Sequence, residues 1–177
     1  MKYFNELEKA MKFLSLNKNT IFLGQPVEAP GTAMFNTLKY VNKKKLFEMP
    51  VAEEMQMGIS LGLAMNGYIP ITIYPRWNFL LLATNQLVNH VDKIKKLTEN
   101  KGTHHMIIRT SVGSIRPLDP QCQHKGDFTN AFKQICKNID FHVLKEAKDI
   151  LPSYKAAIKK KNSISVMVEI ADFYNEK

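Results

Sequence analysis

The 177-residue chain is 45% hydrophobic and 23% charged, with a formal net charge of +9. That balance excludes a disordered chain and suits one domain, residues 1–177, with a sizeable core of its own. No apolar run reaches the roughly 18 residues that a bilayer-spanning helix needs, which argues against a membrane partner.

In chain order, the N-terminal MKYFNELEKAMKFL mixes acidic residues among its apolar ones and has no small-residue cleavage site. It reads as an amphipathic helix rather than a signal peptide, with Phe4, Leu7, Met11 and Leu14 on one stripe of residues 4–16. Residues 20–23 (TIFL) read as a short buried strand, ended by Gly24 and the turn-rich GQPVEAPGT. A helix is expected over 32–41 and a second strand over 45–48. After Pro50 comes a glycine-spotted helix over 52–65, stopped by Asn66-Gly67. YIPITIY, 68–74, is a third strand. The longest helix is expected over 80–97, with Leu80, Ala83, Leu87, Val91 and Ile94 facing the core. A fourth strand over 106–109 leads into the loop SVGSIRPLDPQCQHKG. A helix (128–136), a strand (141–144), a helix (148–160) and a last strand (163–170) complete the pattern. Strands alternating with helices predict a three-layer α/β/α fold around a mostly parallel sheet, with right-handed crossovers.

The basic charge is spread along the chain, and the arginines are only Arg76, Arg109 and Arg116. Nucleic-acid binding needs basic residues concentrated on one face, so no nucleic-acid partner is expected. Cys122 and Cys136 lack metal-ligand spacing and make no disulfide framework, so a reducing cytoplasm is the expected setting.

The residues by themselves leave the chemistry open. In MPVAEEMQMGISLGLAMNGYIP, Glu53 and Glu54 both fall at a helix start, where the helix dipole favours carboxylates. Gly58 and Gly62 share one face of that helix. Each costs about 0.8–1 kcal/mol relative to alanine, so close approach by another backbone is expected, from a partner, a cofactor or the domain's own sheet. Neither GxGxxG nor GxxxxGK[ST] occurs. His104 and His105 are adjacent and would point to opposite faces of a strand, which is no metal spacing. Cys122 and His124 share a loop, but the sequence does not make them a nucleophile and base.

The order of motifs goes further. IFLGQPV, MPVAEEMQMGISLGLAMNG, YIPITIYPRWNFLLLATNQLVNH, IIRTSVG and DFHVLKEAKD follow one another over 21–144. In that order they resemble the pyrimidine-binding domain of transketolase-like thiamine diphosphate enzymes, most of all the β subunit of 2-oxoacid dehydrogenase E1 components. The resemblance implies that Glu53 hydrogen-bonds the cofactor's aminopyrimidine N1′ and promotes the imino tautomer that deprotonates the thiazolium, while Glu54 faces water. A carboxyl in an apolar cleft suits such proton sharing. The resemblance further places Phe79 and Pro75 against the pyrimidine ring, Gln25 near the cofactor where the family commonly has a glutamate, and His124 toward the substrate. Phe79 as ordinary core at a helix start is the alternative.

The family's Gly-Asp-Gly … Asn motif, which binds Mg²⁺ and the diphosphate, does not occur here. The resemblance therefore implies a partner chain with a pyrophosphate (E1 α-like) domain and a homodimer or α2β2 assembly. The family's C-terminal domain is expected to be absent. The expected function is half of a two-chain enzyme acting on a 2-oxoacid or related ketone donor. A non-catalytic assembly or regulatory subunit and a split transketolase subunit are the alternatives.

Overall fold

The computed structural model describes residues 2–116 and 118–175. Six strands form one sheet: β1 (Thr20–Gly24), β2 (Leu46–Glu48), β3 (Ile69–Ile73), β4 (Met106–Val112), β5 (Ile139–Leu144) and β6 (Ile164–Ile170). Their spatial order is β2-β1-β3-β4-β6-β5, and every pairing is parallel. A parallel sheet is covered on both faces, so its strands carry near-continuous apolar runs. In β4 the run is MIIRTSV, and Arg109 in its middle is wholly buried.

Two apolar clusters sandwich the sheet. On one face α1 (Tyr3–Ser15) and α7 (Ala147–Lys159) pack over Phe22, Ile71, Ile73, Ile107 and Met167. On the other, α3 (Glu53–Met65), α6 (Thr129–Ile135) and the 77–97 segment pack over Met106, Ile108, Val166 and Val168. Alternate residues of β4 and β6 thus serve opposite faces, as period-2 strands require. The expected α/β/α layering is what the structure has.

Several expected elements differ in extent. The 32–41 segment holds only α2 (Ala33–Asn36), followed by turns. In place of one helix over 80–97 there is α4 (Trp77–Leu80), a 3₁₀ turn (Leu81–Ala83), a π turn (Gln86–Val91) and α5 (Ile94–Leu97). Leu80, Ala83, Leu87, Val91 and Ile94 are nonetheless all buried. Packing decided which side chains go inside, and the backbone changed its helical pitch to suit. His104 and His105 precede β4 rather than sitting in a strand, and both are buried.

The buried Arg109 is held by Glu169 of β6. Arg109 Nε and Nη2 reach the two carboxylate oxygens at 2.7 and 3.0 Å, and Nη2 also donates to Thr37 Oγ1 at 3.2 Å. The hydroxyls of Tyr154 and Tyr174 donate to the same carboxylate. Burial by itself pulls the Arg109 guanidinium down, and the adjacent Glu169 charge overrides it and raises it above its ordinary value. Among the described residues no helix is long and apolar enough to cross a membrane.

Candidate functional site

The strand order places a topological switch point between β1 and β3, because the chain leaves β1 for β2 on one side and returns to β3 on the other. Clefts form at such points, beyond the carboxyl ends of the strands. Here Gly24 ends β1, and a Cβ on it would lie 2.7 Å from the Ile73 carbonyl. Glycine is what lets the two strands end this close together.

A cleft of about 390 Å³ opens above that junction. Gln25 reaches it from the end of β1, Glu53 from the first turn of α3, Pro75 from the turn after β3 and Phe79 from α4. Four side chains expected at the site from sequence, drawn from four separate segments, therefore line one cavity. A larger groove of about 660 Å³ lies elsewhere, between α1 and residues 27–46, and none of these four residues lines it.

Glu53 is half-buried, and its carboxylate takes no hydrogen bond or ion pair among the described residues. Glu54 is exposed and accepts from Asn85 Nδ2 at 3.2 Å and Gln86 Nε2 at 3.4 Å. The two glutamates thus differ in exposure and in partners. Phe79 is half-buried at the cavity wall, so it is not ordinary core. Gln25 is exposed, with its side chain at the rim.

His124 lies outside the cleft that Glu53 lines. Its ring packs on Phe79 at 5.1 Å between centroids, and its buried Nδ1 has no hydrogen-bond partner among the described residues. Cys122 is exposed and Cys136 buried, and both are free thiols.

Other residues that build the site were not singled out in the sequence. Tyr74 is buried and donates its phenol to the Glu53 carbonyl at 3.1 Å. Burial above all, with the nearby Glu53 charge adding to it, holds that phenol well above its ordinary range, so it stays a donor. Gln56, one turn into α3, donates to Thr72 Oγ1 at 2.8 Å and to the Ile73 carbonyl at 3.0 Å. Glu48 Oε2 accepts the amides of Val27 and Glu28, both at 2.7 Å, and pins the loop that borders the cleft. A buried glutamine in an apolar helix was the one signal available for Gln56. The roles of Tyr74 and Glu48 depend on contacts 20 or 21 residues away.

The comparisons with known proteins concern the chain as a whole. No protein-family model matches the chain. It is 26% identical over 117 residues to a 2-oxoisovalerate dehydrogenase subunit beta of Bacillus subtilis (strain 168), covering 64% of this chain and 36% of the relative. A mitochondrial pyruvate dehydrogenase E1 component subunit beta of Ascaris suum is 25% identical over 120 residues, covering 68% of this chain and 32% of the relative. A split gene transketolase, solved as an inactive β4 tetramer, superposes with a TM-score of 0.69 at 16% identity, over 97% of this chain and 52% of that one. The chain has a transketolase-like fold and is similar over part of its length to the β subunits of 2-oxoacid dehydrogenases. The chain spans about a third of the length of those curated relatives.

One face of α3 is uncovered among the described residues. A Cβ added to Gly58 or Gly62 meets nothing within 4 Å, so neither glycine is there to let the helix pack on its own sheet. Beside Gly58, Met55 is 45%, Ile59 41% and Leu82 62% exposed, and the three line one shallow surface groove with it.

Proposed function

We propose that this chain is the aminopyrimidine-holding subunit of a two-chain thiamine diphosphate enzyme that acts on a 2-oxoacid or related ketone donor, by decarboxylation or by transfer of a two-carbon unit. The observation that carries the reading is the meeting of Gln25, Glu53, Pro75 and Phe79 on one cleft at the switch point. The residues fit an aminopyrimidine. Glu53 offers a half-buried carboxylate with no partner among the described residues, and Pro75 and Phe79 offer apolar surface for a ring.

Thiamine diphosphate, when bound, supplies the electron sink for breaking the bond beside the donor carbonyl. Glu53 shares a proton with pyrimidine N1′. Tyr74 and Gln56 fix the first turn of α3 so that this carboxylate stays at the cleft. Phe79 and Pro75 keep water from one side of the ring, and His124, packed behind Phe79, is the side chain we place toward the substrate.

Among the described residues no group of three or more His, Cys, Asp or Glu is placed to hold a metal. Mg²⁺ and the diphosphate are assigned to a partner chain with an E1 α-like pyrophosphate domain. The uncovered face of α3 is the surface we assign to assembly, with another copy in a homodimer or within an α2β2 enzyme. Cytoplasmic placement is part of the same proposal.

The test is thiamine diphosphate-dependent turnover of the chain co-purified with its partner. Glu53→Gln is expected to lower it by about 10²–10⁴-fold, the range for loss of a general acid–base group. Glu54→Gln is expected to leave it unchanged. Full activity in Glu53→Gln sinks the mechanism. Gln25 favours a second reading, a non-catalytic assembly or regulatory subunit, because an amide relays no proton. In that case the complex assembles, and neither substitution changes its turnover. A split transketolase subunit differs only in its donor, and ketose phosphates in place of 2-oxoacids in the same assay distinguish it.

A further inference from the structure

Beside the Glu53 cleft lies a second pocket of about 300 Å³. The two share Gly31, Thr32, Pro75 and Phe79, so Pro75 and Phe79 form the partition between them. The second pocket adds Arg76, Ser111, Ser114 and Tyr174.

Most polar hydrogens there are already committed. The Ser111 hydroxyl donates to the Pro75 carbonyl at 2.6 Å, Ser114 to the Leu118 carbonyl at 3.1 Å, and Tyr174 to Glu169. Two groups keep hydrogens to give. Thr32 Oγ1 accepts the Phe35 amide at 3.1 Å, which leaves its own O–H unspent. Arg76 Nη1 donates to the carbonyls of Gly113, at 2.5 Å, and His124, at 3.3 Å, while Nε and Nη2 have no partner among the described residues.

Arg76 is half-buried and makes no ion pair among the described residues. The acids nearest in charge are engaged elsewhere. Asp119 pairs with Lys125 at 2.8 Å, and Asp172 Oδ1 accepts the Ile115 amide at 2.6 Å. Burial lowers the guanidinium's pKa, and the charges of Asp119 and Asp172 oppose it. Partial burial of an unpaired charge is costly unless an anion joins it. The free edge of a guanidinium matches a carboxylate or phosphate geometrically.

We propose that Arg76, with the Thr32 hydroxyl, forms an oxyanion subsite next to the cofactor cleft, taking a carboxylate or phosphate monoester carried by the donor substrate. The assignment rests on the Glu53 cleft being the cofactor's, and it sets the charged end of the substrate across Phe79 from the pyrimidine.

The test is a titration of the nitrogen-15-labelled chain, followed at the Arg76 Nε–H signal, with inorganic phosphate, malonate, thiamine and thiamine diphosphate as probes. Phosphate or malonate is expected to move Arg76 Nε–H and the amides of Thr32 and Gly113 to saturation, and the tighter of the two names the anion. Sodium chloride at matched ionic strength is expected to leave them in place. Arg76→Gln is expected to weaken that binding about tenfold or more, and Arg76→Lys, which keeps the charge without the fork, by less. Thiamine, which carries no phosphate, is expected to move the amides of Glu53, Gln56 and Phe79 instead. Loss of that response alone removes the cofactor reading and leaves the anion result intact. Three results overturn the subsite. One is no response of Nε–H to either anion, and another is wild-type affinity in Arg76→Gln. The third is a shift of Arg76 by thiamine diphosphate that thiamine does not cause, since the anion is then the cofactor's.

Discussion

The phenol of Tyr74 donates to the main-chain carbonyl of Glu53 at 3.1 Å, which ties the end of β3 to the first turn of α3. This bond links the sheet to the carboxylate assigned to the cofactor without touching that carboxylate. Tyr74→Phe keeps the ring's packing and deletes the bond. Urea denaturation is expected to show a loss of about 0.5–1.5 kcal/mol. Isothermal titration of the assembled enzyme is expected to show weaker thiamine diphosphate binding. Unchanged cofactor affinity would mean that the bond only supports the fold.

The Arg109–Glu169 pair joins β4 to β6 with both side chains wholly buried. Removing one partner strands the other charge in the interior, which typically costs about 3–5 kcal/mol. Glu169→Gln is therefore expected to lower the urea midpoint far more than Lys101→Gln, which breaks the exposed pair with Glu99. Exposed pairs contribute at most about 1 kcal/mol. Equal effects of the two substitutions contradict this account.

Gly58 has open space where a side chain would stand. In the isolated chain Gly58→Ala is expected to stabilise α3 by up to about 1 kcal/mol, through helix propensity. In the assembly the same methyl intrudes where a partner is proposed to approach closely. Light scattering after size exclusion is expected to show weaker association for Gly58→Ala and more so for Gly58→Leu. Association that survives Gly58→Leu places the interface elsewhere.

Burial is the main cause that lowers the pKa values of His104, His105 and His142 below their ordinary 6.5. For His105 the Ala157 carbonyl, 3.0 Å from Nε2, opposes it. With folded values below the unfolded one, the unfolded chain binds more protons in the interval between them. The stabilisation is therefore complete above about pH 6.5 and is lost as pH falls, with a slope of at most about 1.4 kcal/mol per pH unit for each histidine. Urea midpoints measured from pH 7.5 to 5.5 are expected to fall, and His105→Gln is expected to flatten the decline. A midpoint that rises toward pH 5.5 contradicts the assignment.

Much of this molecule was legible in its sequence. The alternation of helical and strand periods specified an α/β layering, because each period dictates which residues a regular element can bury. The stripe Leu80, Ala83, Leu87, Val91 and Ile94 was read correctly even though its backbone is a mixture of helix types. Motif order also singled out Glu53 from Glu54, and the structure leaves Glu53 half-buried at the cleft and Glu54 exposed. What only the tertiary structure decided is which distant residues meet. Parallel crossovers carry β1, β3 and the start of α3 to the same end of the sheet, so Gln25, Glu53 and Phe79 share a cleft although 28 and 26 positions separate neighbours in that series. Nor could the sequence show that Arg109 is paired while Arg76 makes no ion pair among the described residues. Pairing depends on whether a carboxylate from another strand arrives within reach, and that distance exists only after the chain has folded.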